Sequence, residues 1–206
     1  MAVISMGLLP ISSEAQTSLY TYSPSLTDWS YTFNIQQFNN SWGTLQLTSV
    51  TLTLVESGSM NWELRNNSPS TAKFTLGGTL SVSLDLPGTL DLATSTSYPT
   101  STLFLGSGAT MTASSGTLTS STSITYDASS YDLSAFIGSG TLALAASGTA
   151  VTDAPSTTGN TVEIVTTYAG ATVEVTYNFA PIPEPSSLAL AASGLGLLAW
   201  NLRRRK

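Results

Sequence analysis

The chain has 206 residues, a formal net charge of −6, only 9% charged residues, and neither cysteine nor histidine. That composition excludes thiolate nucleophiles, imidazole acid–base chemistry, His or Cys metal ligands and any disulfide framework. Ten carboxylates between Thr17 and Ala180 are opposed only by Arg65 and Lys73. No basic stripe exists there to neutralise phosphates, so nucleic acid is excluded as a partner.

At the N-terminus, Ala2–Leu9 is mostly apolar, and Ser13-Glu14-Ala15 puts small residues at −3 and −1 of a cut. Residues 1–15 are expected to be the end of a secretory signal peptide whose usual cationic start is missing; the plainer alternative is an ordinary first strand. Residues 17–180 then form one body of ordinary domain size. Tyr31, Phe33 and Ile35 alternate, and Asn39-Asn40-Ser41 ends that run in turn residues. Leu45 and Leu47 are followed by Val50, Leu52 and Leu54 on the other parity, which predicts a bulge or two segments around Thr48-Ser49. Ser57-Gly58-Ser59 reads as a turn before Met60, Trp62 and Leu64, and Asn66-Asn67-Ser68-Pro69 as another. Ala72–Leu76 is a short run. Gly77-Gly78 leads into Leu80, Val82, Leu84 and Leu86, which Pro87-Gly88 ends.

The pattern thins from Asp91 to Thr122, where Ser, Thr, Ala and Gly dominate and strand edges are illegible. It returns at Ile124 and Tyr126. Asp132 is expected to cap one helical turn over Leu133–Phe136. After Leu142, Leu144 and Ala146, two last strands over 161–168 and 171–179 flank Ala169-Gly170, which reads as a tight hairpin turn. Serine and threonine hydroxyls supply the polar faces that charges usually supply, and Thr, Val and Tyr favour strands. The expectation is an all-β fold, an antiparallel β-sandwich of about nine to eleven strands, followed by a single C-terminal hydrophobic helix.

Residues 181–206 differ from everything before them. Pro183-Glu184-Pro185-Ser186 opens the segment, residues 186–202 carry no charge, and Arg203-Arg204-Arg205-Lys206 holds four of the chain's six cations. As a helix, 186–202 spans about 25 Å, the short end of what crosses a bilayer. The four cations act as a stop-transfer cluster and stay cytoplasmic, which places the body outside. This tail resembles the PEP-CTERM sorting signal, which joins Pro-Glu-Pro to a short hydrophobic segment and an Arg-rich end. The resemblance implies a bacterial protein exported through the Sec translocon, held transiently by its tail, processed by an exosortase, and left at the cell surface or in the extracellular matrix. The family's association with exopolysaccharide implies that material as a further partner. In the body, FNNSWGTLQLTSVTLTL from Phe38, DLSAFIGSGTLAL from Asp132 and ATVEVTYNF from Ala171 resemble the choice-of-anchor E domain. That likeness implies a β-rich surface domain and carries over no catalytic residue.

Several residue patterns bear on chemistry. Ser70-Thr71-Ala72-Lys73 fits Ser-x-x-Lys, but that pair needs a helix, and strand patterns surround it. Glu56 and Glu63 serve as glycosidase acid and base only at a suitable separation. Asp85 and Asp91, and Asp127 and Asp132, are loop carboxylates too few to fill a calcium shell without backbone help. Trp29 and Trp42 sit beside turns and are the candidate sugar-stacking residues, whereas Trp62 alternates with Met60 and Leu64 and is expected in the core. No catalytic residue, metal ligand or cofactor is expected. The expected function is that of an exported, non-catalytic envelope or matrix protein, the alternative a carbohydrate-binding module for exopolysaccharide.

Overall fold

The computed structural model describes residues 13–88 and 91–182, and beyond them only 203. The expected hydrophobic helix at 186–202 and residues 1–12 of the expected signal peptide therefore lie outside the described residues. Among the described residues there are nine strands: β1 (Glu14–Leu26), β2 (Trp29–Gln36), β3 (Leu45–Asn66), β4 (Ala72–Asp85), β5 (Asp91–Leu105), β6 (Thr110–Ser114), β7 (Leu118–Asp127), β8 (Thr141–Asp153) and β9 (Thr161–Pro181). They make two antiparallel sheets. One runs β1-β9-β3, with β6 and β7 sharing the far edge of β3; the other runs β2-β8-β4-β5. Their inner faces pack as a sandwich because each strand alternates apolar and hydroxyl residues, so only one face of each sheet needs burial.

Two of the predicted turns are strand interiors. β3 runs unbroken through Ser57-Gly58-Ser59, paired on one side with β9 along its whole length. β9 likewise runs through Ala169-Gly170, both of them buried. The physical reason is close approach. A Cβ on Gly58 would lie 2.2 Å from the Tyr168 carbonyl oxygen and 2.6 Å from Leu80 Cδ1, and one on Gly170 would lie 2.7 Å from the Pro24 nitrogen. Glycine marks a place where neighbouring chain leaves no room, not a reversal of direction. Gly77-Gly78 is similar: β4 continues across it with a register shift against β5. The parity change at Thr48-Ser49 is a bulge between β3 and β9, between Leu47 and Ser49. The illegible stretch holds β5 and β6, and β5 is an edge strand whose exposed residues include Ser95, Ser97, Thr100 and Thr102 along with Ala93 and Phe104. The single helical turn expected near Asp132 is a 3-10 turn at Ser134–Phe136, and Asp132 accepts from the Ser134 backbone N–H and hydroxyl at its start.

The interior divides into two clusters along the strands. Near the end where β9 stops, Val50, Leu52 and Leu54 of β3 pack with Phe33, Ile35, Val82, Leu84, Val173, Val175 and Tyr177. At the other end, Met60, Trp62 and Leu64 pack with Phe74, Leu76, Leu80 and Leu105. We call these the proximal and distal halves. Gly58 and Glu56 lie between them on the same inward row of β3, and form the waist of the sandwich.

Candidate functional site

Three places concentrate the candidate residues: the exit of the tail, a cleft beside it, and the waist. At the exit, β9 holds register to its last residue, with Pro181 opposite Leu45 and the Ile182 N–H donating to the Thr44 carbonyl. A 3-10 turn at Ser41–Gly43 supports that contact through the Leu45 N–H, which donates to Asn40. The sorting residues Pro183, Glu184, Pro185 and Ser186, and Arg204–Lys206 of the cationic cluster, lie outside the described residues. In sequence the sorting residues come directly after β9 and Ile182, and β9 is held between β1 and β3.

The charges are distributed unevenly about that exit. Asp85 and Asp91 face each other at the proximal ends of β4 and β5, and Asp127 and Asp132 bound the neighbouring loop. Asp127 accepts from the Ser129 N–H, and these hydrogen bonds hold the carboxyls of Asp127 and Asp132 below the usual carboxylate range. Arg65 and Lys73 are at the distal ends of β3 and β4. The proximal end is thus acidic, and among the described residues no group of three or more carboxylates converges as a metal ligand set.

Beside the exit is a cleft of about 400 Å³ lined by Pro87, Gly88, Tyr126, Tyr131, Asp132 and Ser134. Tyr131 is 45% exposed and meets Tyr126 edge-on at 5.1 Å. The Tyr126 hydroxyl is buried without a hydrogen-bond partner, and burial pushes its ionisation up. Nothing local in the sequence marks Tyr131, because only the fold brings the loop after β7 back against Tyr126.

Trp29 is not a stacking platform. Its ring is only 8% exposed, packs against Tyr22 at 4.6 Å, covers Gly148, and its indole N–H donates to the Ala169 carbonyl. The adjoining turn suggested exposure, but the ring points inward with Phe33 and Ile35 and closes the side of the sandwich between β1 and β2. Trp42 lies in the 3-10 turn at Ser41–Gly43, with its side chain outside the described residues. Trp62 is buried as expected. The Ser70–Lys73 pair is divided between a loop and β4 and shares no helix face.

Glu56 and Glu63 are on opposite faces of β3 and form no acid–base pair across a cleft: Glu63 is exposed and Glu56 is wholly buried. Neither oxygen of the Glu56 carboxyl has a hydrogen-bond partner, and burial pushes its pKa up to about 7. Its orientation was readable from the sequence, because it continues the even-numbered row Val50, Leu52, Leu54 toward Met60, Trp62 and Leu64. The supposed turn at Ser57-Gly58-Ser59 hid that continuity.

Residues 181–206 match the PEP-CTERM protein-sorting motif. No curated protein matches the chain. Among solved structures, the chain is 14% identical to infectious bursal disease virus Gt strain, covering 90% of this chain and 46% of that one at a TM-score of 0.20. It is 14% identical to the Gx strain, covering 91% and 47% at 0.16, and 16% identical to the VP2 subviral particle of the same virus, covering 100% and 55% at 0.14. The chain spans about half the length of these structures, and likenesses this slight bear on neither fold nor function.

Proposed function

We propose that this chain is a non-catalytic protein of the bacterial envelope or extracellular matrix, sorted by its tail and associated with exopolysaccharide. The observation that carries the reading is the sorting motif at 181–206, which makes the chain an exosortase-sorted exported protein. In this reading residues 1–15 direct export through the Sec translocon, and the body is a surface domain of the choice-of-anchor E kind. Cleavage after Ala15 leaves Gln16–Leu26 of β1 paired with β9, so the sheet survives removal of the leader.

The exit geometry supports the same reading. Because β9 keeps its pairing to Pro181, only Pro183–Ser186 separate the sandwich from the apolar segment, and the proximal end stands close to the bilayer while the tail is inserted. Prolines keep such a strip extended and out of the following helix. The proximal carboxylates meet anionic headgroups with repulsion, which holds the domain off the surface and leaves Pro-Glu-Pro open to a membrane-embedded protease.

The cleft at Tyr131 favours a second reading, the carbohydrate module. An exposed ring in a cleft with a carboxylate at its rim offers a stacking face and hydrogen-bond acceptors to a sugar. Titration of the protein with exopolysaccharide fragments, with Tyr131→Ala as the control, reads this separately.

The test of the main reading is immunoblotting of fractionated native-host cells with and without the exosortase. The parent protein is expected to shorten only where the exosortase is present. Replacement of Pro183, Glu184 and Pro185 by alanine is expected to leave a full-length, membrane-bound form in both strains. If the parent persists unprocessed in both, or the alanine form is shortened like the parent, the tail is a plain anchor.

A further inference from the structure

Across the first sheet, the row at the level of Glu56 reads Tyr22, Ala171, Glu56, Ser120, from β1 through β9 and β3 to β7. Ser120 is reached from the other sheet by Thr94 of β5, whose hydroxyl donates to it at 2.7 Å. Two residues further along β5, the Thr96 hydroxyl is buried without a partner. β5 and β7 are the strands that close this side of the sandwich, and the Thr94–Ser120 bond is a direct side-chain tie between the two sheets. On β4 the residues paired with Thr96 and Thr94 are Leu80 and Val82, both buried. The inward groups around Glu56 are thus Leu54 and Gly58 on its own strand, Ala171 with Ala169 and Val173 on β9, Ser120 with Leu118 and Thr122 on β7, and Leu80, Val82, Thr94 and Thr96 opposite. None is charged. The titratable side chains nearest in these rows are Tyr22, stacked on Trp29 and Tyr31, and Tyr98, bonded through its hydroxyl to Ser101.

We propose that Glu56, with Ser120, Thr94 and Thr96, forms a proton-dependent latch at the waist, closed while the carboxyl is neutral and loosened when it ionises. An ionised carboxylate here has no cation and no donor bond, and an unpaired charge in such a site drives either protonation or opening. Burial sets the direction of the proton linkage, raising the folded pKa from 4.5 to about 7. The folded state therefore holds its proton to higher pH than the unfolded chain does. Stability from this group is complete below about pH 4.5 and is lost as pH rises through about 7. The strands that must part to hydrate the charge are β5 and β7, since β9 covers the other side of β3 throughout. An exported protein meets external pH directly, so the latch couples the compactness of the waist to the medium.

The experiment is urea unfolding of the full-length protein in non-ionic detergent at pH 5 and pH 9, compared with Glu56→Gln, which keeps the shape but cannot ionise. The parent's unfolding equilibrium constant is expected to rise between the two pH values by about two orders of magnitude more than that of Glu56→Gln. Glu56→Leu carries the same comparison should the glutamine form fail to fold. Amide exchange along Thr94–Tyr98 and Leu118–Thr122, corrected for its intrinsic pH dependence, is expected to accelerate at pH 9 in the parent alone. Equal pH dependence in parent and both variants overturns the proposal. So does recovery of the parent's stability at pH 9 by calcium or sodium chloride, at matched ionic strength, when Glu56→Gln shows no such response. That result makes the waist a cation site instead.

Discussion

The proximal half of the sandwich holds most of the core's aromatic rings. Phe38 lies against Tyr177 and Phe179, Tyr126 lies against Phe136, and Tyr22, Trp29 and Tyr31 close the side between β1 and β2. In the distal half the same long strands supply Met60, Leu64, Leu76 and Leu80 around Trp62 and Phe74. The ends are also closed by different means. Proximal loops are tied by carboxylates accepting from nearby serines. Distal loops are tied by one buried amide: the Asn66 side chain donates to the carbonyls of Ser70, Leu105 and Gly106 and accepts from the Ser68 N–H. An amide both donates and accepts while remaining neutral, so it can be buried at a junction of three loop carbonyls where an ionised carboxylate cannot. The half beside the tail is acidic and open to solvent at its loops. Both body cations are at the end of the far half.

The largest expected effect comes from the waist that joins the halves. Gly58→Ala puts a methyl where the Tyr168 carbonyl and Leu80 already stand, and backbone cannot move aside as a flexible side chain does. A loss of about 3 kcal/mol is expected by urea denaturation of the full-length protein. A change under 0.5 kcal/mol would show that the two sheets tolerate more separation there than the packing implies. Asn66→Ala is expected to cost about 2 kcal/mol, since three carbonyls lose their buried donor. It should also speed proteolysis at residues 67–71 and 106–109 while leaving the proximal loops unchanged; equal acceleration at both ends would mean the halves unfold as one unit. The smallest effect is expected from Asp132→Asn. Hydrogen bonds depress the Asp132 pKa, so their contribution is present above the ordinary value of 3.8 and fades as pH falls below it. The variant should differ detectably from the parent only in amide exchange at Ser134 above pH 4, with global stability unmoved.

Much of the first sheet was legible because period-two rows such as Val50-Leu52-Leu54 and Val173-Val175-Tyr177 report a face, and a face needs only local spacing to be seen. β5 was not legible, because Thr94 and Thr96 stand on its inward face where apolar residues would mark a strand, and the register shift after Tyr98 breaks the parity. At the candidate sites the division is similar. The sorting motif is contiguous, so Pro183, Glu184 and Pro185 are recognisable without any fold. The Tyr131 cleft depends on the loop that crosses from β7 in one sheet to β8 in the other meeting the Pro87-Gly88 turn that follows β4.

From the sequence alone came the all-β class, the strand parities, the absence of thiol and imidazole chemistry, and the sorting tail, all of which depend on residue type and short-range spacing. The tertiary structure decided that Gly58 and Gly170 are points of close contact inside single strands, that Trp29 faces inward, and that Glu56 is sealed without a partner. A glycine between alternating runs has the same local signature whether the chain turns or another strand presses against it. Only the neighbouring strand and the facing sheet, brought there by residues a hundred positions away, distinguish the two.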